Sequence, residues 1–286
     1  MHVLGNGVRL FFDVEGASLV PDGPTMREKP TLVLLYGGPG FDHALYKPLC
    51  AQLADIVPVV FLDHRGKGRR AHGPHTMWTL VQWGDDVHAC WDILGVVHPI
   101  VLGTSLGGMV ALVYATQYPA HPGKWILLST AAAGGTPLEQ RVALCARLGV
   151  RRWGRSRAAV SSRGTRTPPR SRRGAVWPSL FTRGRHGILR WGSARSAILR
   201  SPSGSCGQGE KATRSIASRP WRACSVRPSS LVEDEDPRIP IACQEELVAA
   251  LQAHLVRFER LPGCGHPVTV DARQHAMEVI RDFMVP

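Results

Sequence analysis

Residues 100–117 read IVLGTSLGGMVALVYATQ, and the fold turns on how that stretch is divided. Ile100 to Leu102 is a short apolar run suited to a buried strand. Leu106 to Gln117, rich in small residues, suits a helix. Between them Gly103-Thr104-Ser105-Leu106-Gly107 fits the pattern G-x-S-x-G at a strand-to-helix junction. A sharp turn of that composition pushes the serine hydroxyl out of the chain, and its glycines let neighbouring backbone pass closely on either side. The amide of Leu106 then lies at the positive end of the following helix, where a developing oxyanion would be stabilised.

Working outward, strand and helix patterns alternate at the spacing of a wound α/β sheet. Val8 to Val14 reads as an early strand, followed by a loop containing Pro21, Pro24 and Pro30. Thr31 to Leu35 is a buried strand that stops at Tyr36-Gly37-Gly38-Pro39-Gly40, and Val59 to Leu62 is another that ends at Asp63-His64-Arg65-Gly66. Trp78 to Leu94 carries its apolar residues at helical spacing, with Asp85, Asp86 and Asp92 off that stripe. Trp125 to Leu128 is a further strand. Near the end of the chain, Cys243 to Leu255 reads as helix, Val256 to Leu261 as strand and Asp271 to Met284 as a last helix.

The chain has 286 residues, 44% of them hydrophobic, enough for one large α/β domain. No apolar run reaches the roughly 18 residues of a membrane helix, and the N-terminus lacks a basic start followed by an apolar stretch. Seven scattered cysteines form no Cys-x-x-Cys pair, so neither a disulfide framework nor a zinc ribbon is encoded. A soluble protein of the reducing cytoplasm is expected.

The net charge of +13 is unevenly distributed. Residues 151–230 hold 19 basic side chains and a single acid, Glu210, whereas the rest of the chain has 16 basic and 21 acidic. That segment shows neither helix nor strand periodicity. It consists mainly of Arg, Ser, Gly, Pro and Ala, with four of the eight tryptophans: Trp153, Trp177, Trp191 and Trp221. Disordered segments are poor in Trp, so composition alone does not explain it. GC-rich DNA translated in the wrong frame gives this mixture. One permissible codon set for Gly149 to Gly154, shifted by a base, reads Gly-Pro-Glu-Val-Gly, restoring acidic and apolar residues together. The expectation is that residues from about 149 to about 230 are out of frame or disordered, with the strand before the acidic turn reduced to little more than Leu231 and Val232.

A serine is a weak nucleophile at neutral pH and needs a base oriented by a carboxylate. His266, in Gly263-Cys264-Gly265-His266, follows the last strand, whereas His254 and His275 fall inside predicted helices. Asp236, before Pro237, is the orienting acid, although Glu233-Asp234-Glu235-Asp236 is a run of charges of the kind usually found in a solvated turn. The amide of Gly38 supplies the second oxyanion donor beside that of Leu106. The site residues are therefore Ser105, His266 and Asp236, with Gly38 and Leu106 as the oxyanion hole. This chemistry calls for no metal or organic cofactor. The remaining histidines, His64, His72 and His75 among them, show no metal-ligand spacing.

Taken together, Tyr36 to Gly40, Asp63 to Gly66, Gly103 to Gly108, Asp236 to Pro240 and Gly263 to His266 resemble, in order, five signatures of the proline iminopeptidase branch of the α/β-hydrolase superfamily. The resemblance covers about residues 1–148 and 231–286. It implies an α/β-hydrolase fold, a mostly parallel sheet flanked by helices, with a first core part at 1–148, a degenerate cap insertion at 149–230 and a second core part at 231–286. It also implies release of an N-terminal residue, preferably Pro, from a small peptide. Three departures stand out: Tyr36 replaces a histidine, Lys67 and Arg70 follow the second signature, and the basic segment occupies the place of a helical cap whose acids would hold the substrate's amino group. An esterase or amidase acting on another small substrate, an inactive frameshifted product, and a nucleic-acid-binding protein using the Arg-rich segment are the alternatives. Of these the last is the least favoured, because the segment has no repeat or binding motif.

Overall fold

Strands covered on both faces typically read as continuous apolar runs, and the runs at 32–35, 59–62 and 125–128 fit that pattern. The computed structural model describes residues 1–38, 41–66, 75–132, 227–236, 238–251 and 256–285. In chain order, β1 (His2–Gly5) and β2 (Val8–Glu15) are joined through Asn6-Gly7. Then come β3 (Leu19–Asp22), β4 (Thr25–Glu28) and β5 (Leu32–Leu35). α1 (Lys47–Cys50), flanked by 3-10 turns, leads to β6 (Val59–Leu62) and α2 (Leu80–Leu94). β7 (Ile100–Thr104), α3 (Leu106–Gln117) and β8 (Lys124–Leu128) follow. The last group is β9 (Arg227–Glu233), α4 (Ile241–Ala250), β10 (Arg257–Leu261), α5 (Val268–Asp271) and α6 (Arg273–Met284).

Eight strands form one sheet in the order β1-β2-β6-β5-β7-β8-β9-β10. The β1–β2 and β2–β6 pairings are antiparallel and the others parallel. Period-two alternation divides the core. Val33, Leu35, Val60, Leu62, Val101 and Leu127 pack with residues of α2, α3 and α4, while Leu32, Leu34, Val59, Phe61, Leu102 and Ile126 pack with residues of α1 and α6. Each of these fully buried side chains contributes about 1.5–3 kcal/mol. This is the α/β-hydrolase fold expected from the sequence. The parallel strands end on one edge, so the loops after β5, β7, β8, β9 and β10 gather there.

A buried ion pair fixes the end of β6. Arg65 donates to both Asp86 carboxylate oxygens at 2.8 and 2.7 Å, and Trp83 Nε1 donates to the Arg65 carbonyl at 3.0 Å, tying the strand end to α2.

Several expectations are corrected. The region around Pro21 and Pro24 is not a plain loop but the hairpin β3–β4, a two-stranded edge apart from the main sheet, where proline costs no ladder bond. β1 was not foreseen, although Asn6-Gly7, with φ of 47° and 71°, is a hairpin turn signal. The helix expected at 243–255 runs from Ile241 to Ala250, Leu251 is extended, and 252–255 lie outside the described residues.

β9 is the main difference. It is seven residues long and pairs on both sides, Lys124 with Arg227 through Leu128 with Leu231, and Arg257 with Ser229 through Leu261 with Glu233. The reduction to Leu231 and Val232 therefore does not occur, and the boundary drawn at 230 falls inside a strand. Apolar patterning gave no sign of it, because Ser229 and Ser230 occupy fully covered positions where two neighbouring strands supply the backbone partners. The rest of the 149–230 segment, the cap insertion and the out-of-frame reading lie outside the described residues, as do Lys67 and Arg70.

Among the described residues, no helix is long and apolar enough to cross a membrane.

Ser229 Oγ is buried without a hydrogen-bond partner among the described residues. Removing an unsatisfied hydroxyl from a core relieves its desolvation cost. Ser229→Ala should therefore raise unfolding stability by about 1 kcal/mol, read from denaturant titration.

Candidate active site

Ser105 leaves β7 and enters α3 with φ 53° and ψ −119°, a left-handed conformation that non-glycine residues seldom adopt. Its amide donates to the Leu128 carbonyl at 2.9 Å, and its carbonyl accepts from Thr130 Oγ1 at 2.8 Å and from the Gly108 amide at 3.0 Å. The turn is so tight that a Cβ on Gly107 would lie 1.9 Å from the Leu35 carbonyl oxygen. A Cβ on Gly37 would come within 2.9 Å of Ser105 Cβ, which places the loop after β5 directly against the serine. Gly38, next in that loop, has φ 127°.

His266 stands in the loop between β10 and α5. Its Nε2 lies 3.0 Å from Ser105 Oγ and its Nδ1 2.7 Å from Asp236 Oδ2. Asp236 is fully buried in the turn after β9, and its other oxygen accepts the backbone amides of Arg238 at 2.7 Å and Ile239 at 3.0 Å. Two amides and an imidazole N–H thus replace the water that the carboxylate has lost. With the Nδ1 proton held by the carboxylate, Nε2 carries a lone pair toward the serine hydroxyl.

The acidic run separates into two classes. Asp234 and Glu235 are exposed, whereas Glu233 and Asp236 are buried. Ser129, at φ 48° just after β8, brings its Oγ 2.8 Å from Glu233 Oε1 and 2.9 Å from the His266 carbonyl. Gln244 Nε2 on α4 donates to Glu233 Oε2 at 3.3 Å. Burial is the largest influence on Glu233, with the Asp236 charge adding to it and the Ser129 bond opposing it, and its pKa is pushed up to about 8. Neutral Glu233 resolves an accounting problem. A hydroxyl has one hydrogen, so Ser129 serves both neighbours only if the carboxylic acid donates to Ser129 Oγ and Ser129 donates to the His266 carbonyl.

The structure brings Ser105, His266 and Asp236 together, and Leu106 opens α3 beside them. His275 lies apart, exposed near Glu259, and His254 is outside the described residues, as are Pro39, Gly40 and Pro237. Sequence reasoning missed Ser129 and Glu233; the only signal for Glu233 was its place at the last position of a strand. It also gave no role to Asp63, which is buried and accepts both the amide and Nδ1 of His43. Among the described residues, the one group of three side chains close enough to share a metal ion is His88, Asp92 and His121, in the C-terminal half of α2 and just past the C-terminus of α3.

The family model described as serine aminopeptidase, S33, matches residues 28–178. The chain is 34% identical over 113 residues to a proline iminopeptidase of Clostridium botulinum, which covers 39% of each chain. It is 33% identical over 98 residues to a Caulobacter vibrioides protein bearing the name of a carbamate hydrolase, covering 34% of this chain and 36% of that one. The chain thus spans between a third and two fifths of the length of these curated relatives. Among solved structures, a meta-cleavage product hydrolase from Pseudomonas fluorescens IP01 superimposes with a TM-score of 0.67 at 16% identity, covering 99% of this chain and 96% of that one.

Glu233 makes stability depend on pH. An unfolded glutamate ionises near pH 4.5, the folded one near 8, so between these values the folded state holds a proton that the unfolded state has lost. Stability contributed by this group is then full below about 4.5, falls as pH rises, and levels off above about 8. Glu233→Gln removes the titration while keeping a donor to Ser129. Thermal melts should show the variant several degrees above the parent at pH 8, with the gap closing toward pH 4.5.

Proposed function

We propose that this chain, which belongs to the serine aminopeptidase S33 family and so is a serine hydrolase of the α/β-hydrolase superfamily, releases an N-terminal residue, preferably proline, from small peptides. The observation that carries the reading is the unbroken bond sequence Ser105 Oγ, His266 Nε2, His266 Nδ1 and Asp236 Oδ2, at 3.0 and 2.7 Å, with the serine on a strained strand-to-helix turn.

Ser105 attacks the substrate carbonyl as His266 Nε2 accepts its proton, and Asp236 holds the imidazole in the required tautomer and offsets its positive charge. The oxygen that becomes negative is met by the amides of Leu106 and Gly38, donors that need no rearrangement when charge develops. His266 then returns the proton to the departing amine. Water, deprotonated by the same imidazole, releases the acyl group and restores the serine. The seven scattered cysteines support a cytoplasmic site of action.

A second reading, hydrolysis of short esters or amides, is favoured by the charge of residues 151–230. With 19 basic groups and one acid, that segment offers little to a substrate ammonium group where acids would be needed. An out-of-frame segment would produce the same imbalance, and the nucleotide sequence of codons 145–235 decides that point: one uninterrupted frame shared with close relatives sinks it.

Ser105→Ala should abolish both turnover and labelling by a fluorophosphonate probe, while Asp236→Asn should slow both, lowering kcat by about 10⁴-fold. Labelling that persists in Ser105→Ala removes the assignment. Prolyl amide, its N-acetylated form and a short ester, compared by kcat/KM, separate the two readings. A sharp loss on blocking the amine supports the aminopeptidase, and preference for the ester supports the alternative.

A further inference from the structure

His88 and Asp92 stand one turn apart on α2, so their side chains rise from the same face. His121 follows α3, three residues past its C-cap, Tyr118. Suitable ligand atoms of all three lie within 4.8 Å of one another. His88 Nδ1 is 3.6 Å from Asp92 Oδ2, and the His88 and His121 rings are 5.0 Å apart between centroids. Ligands about 2.1 Å from a tetrahedral zinc ion are separated by about 3.4 Å, so the His88–Asp92 pair is already near the needed spacing.

Each imidazole is also held in place by a neighbour. Tyr118 stacks on His88 with centroids 3.8 Å apart, and the Tyr114 hydroxyl is hydrogen-bonded to His121 Nδ1. That bond occupies Nδ1, so a metal would bind at Nε2 in place of the hydrogen bond that His121 makes to the Val96 backbone, with Nδ1 and the tyrosine oxygen as the outer partnership that orients metal-binding histidines.

We propose that His88, Asp92 and His121 form a binding site for a late first-row divalent metal such as Zn²⁺, at the far end of α2 and α3 from Ser105. Two imidazoles and one carboxylate suit zinc, cobalt or nickel rather than magnesium or calcium, which prefer oxygen alone. Water completes the coordination. α3 has 12 residues, so the site lies roughly 18 Å along the helix from the serine. Its role is to pin the last turn of α2 to the turn after α3, and it takes no part in hydrolysis. Sequence spacing concealed it because the third ligand follows the second by 29 residues and belongs to another element.

The test is calorimetric titration of the full chain with Zn²⁺, with Co²⁺ absorption to report the ligand field. The expected result is one equivalent bound, a visible d–d spectrum of four-coordinate cobalt, and a higher melting temperature with zinc. Asp92→Asn, at an exposed position that leaves the fold untouched, and His121→Gln should each weaken zinc binding at least 10-fold, while His275→Ala should not change it. Absence of binding to the parent chain, or equal affinity in parent and Asp92→Asn, overturns the proposal. So does loss of binding only with His275→Ala.

Discussion

The backbone of Ser105 is the constraint from which the rest of the site follows. Held at φ 53° and ψ −119°, it occupies a conformation that persists only where the surroundings over-determine it. Those surroundings come from the two flanking strands at once. β8 supplies the Leu128 carbonyl, the residues just past it supply Thr130, and β5 presses its Leu35 carbonyl against Gly107. Only a strand between these two could receive both, and β7 has β5 on one side and β8 on the other. The sheet order is in this sense a requirement of the turn.

The two buried acids of this run, Glu233 at the end of β9 and Asp236 in the turn after it, differ in the donors they meet. Asp236 meets two backbone amides and an imidazole. Glu233, three residues earlier, meets one hydroxyl and one side-chain amide, and takes the neutral form instead. Two acids of one short run are thus divided between a carboxylate oxygen that meets the His266 imidazole and a side chain whose bonds reach the His266 backbone through Ser129.

Most of the fold was legible because burial on both faces writes itself as uninterrupted apolar runs, and α3 was bounded correctly from Leu106 to Gln117. Ser105, His266 and Asp236 were legible because an elbow, a strand-end loop and a turn before proline are local patterns. What remained hidden depends on partners distant in sequence. β9 contains Arg, Pro and two serines, and is a strand because β8 and β10 flank it. Glu233 and Asp234 are adjacent and chemically alike, yet one faces the interior and the other solvent; only the end of the strand distinguishes them. Arg65 read as part of a motif, but its purpose, neutralising Asp86 inside the protein, needed α2 in place.

The parallel pairing of β8 with β9 joins segments separated by about a hundred residues of chain. In an unfolded chain, closing such a span costs about 2 kcal/mol more than closing a crossover of about 12 residues, a modest thermodynamic difference. Its effect on the sequence of events is larger. Emerging from the ribosome, the chain has β1 through β8, and hence a complete nucleophile turn, long before Asp236 and His266 exist. The nascent chain carries Ser105 without His266 and Asp236 until the last strands dock, so the bond sequence from serine to carboxylate is assembled only once β9 and β10 have paired.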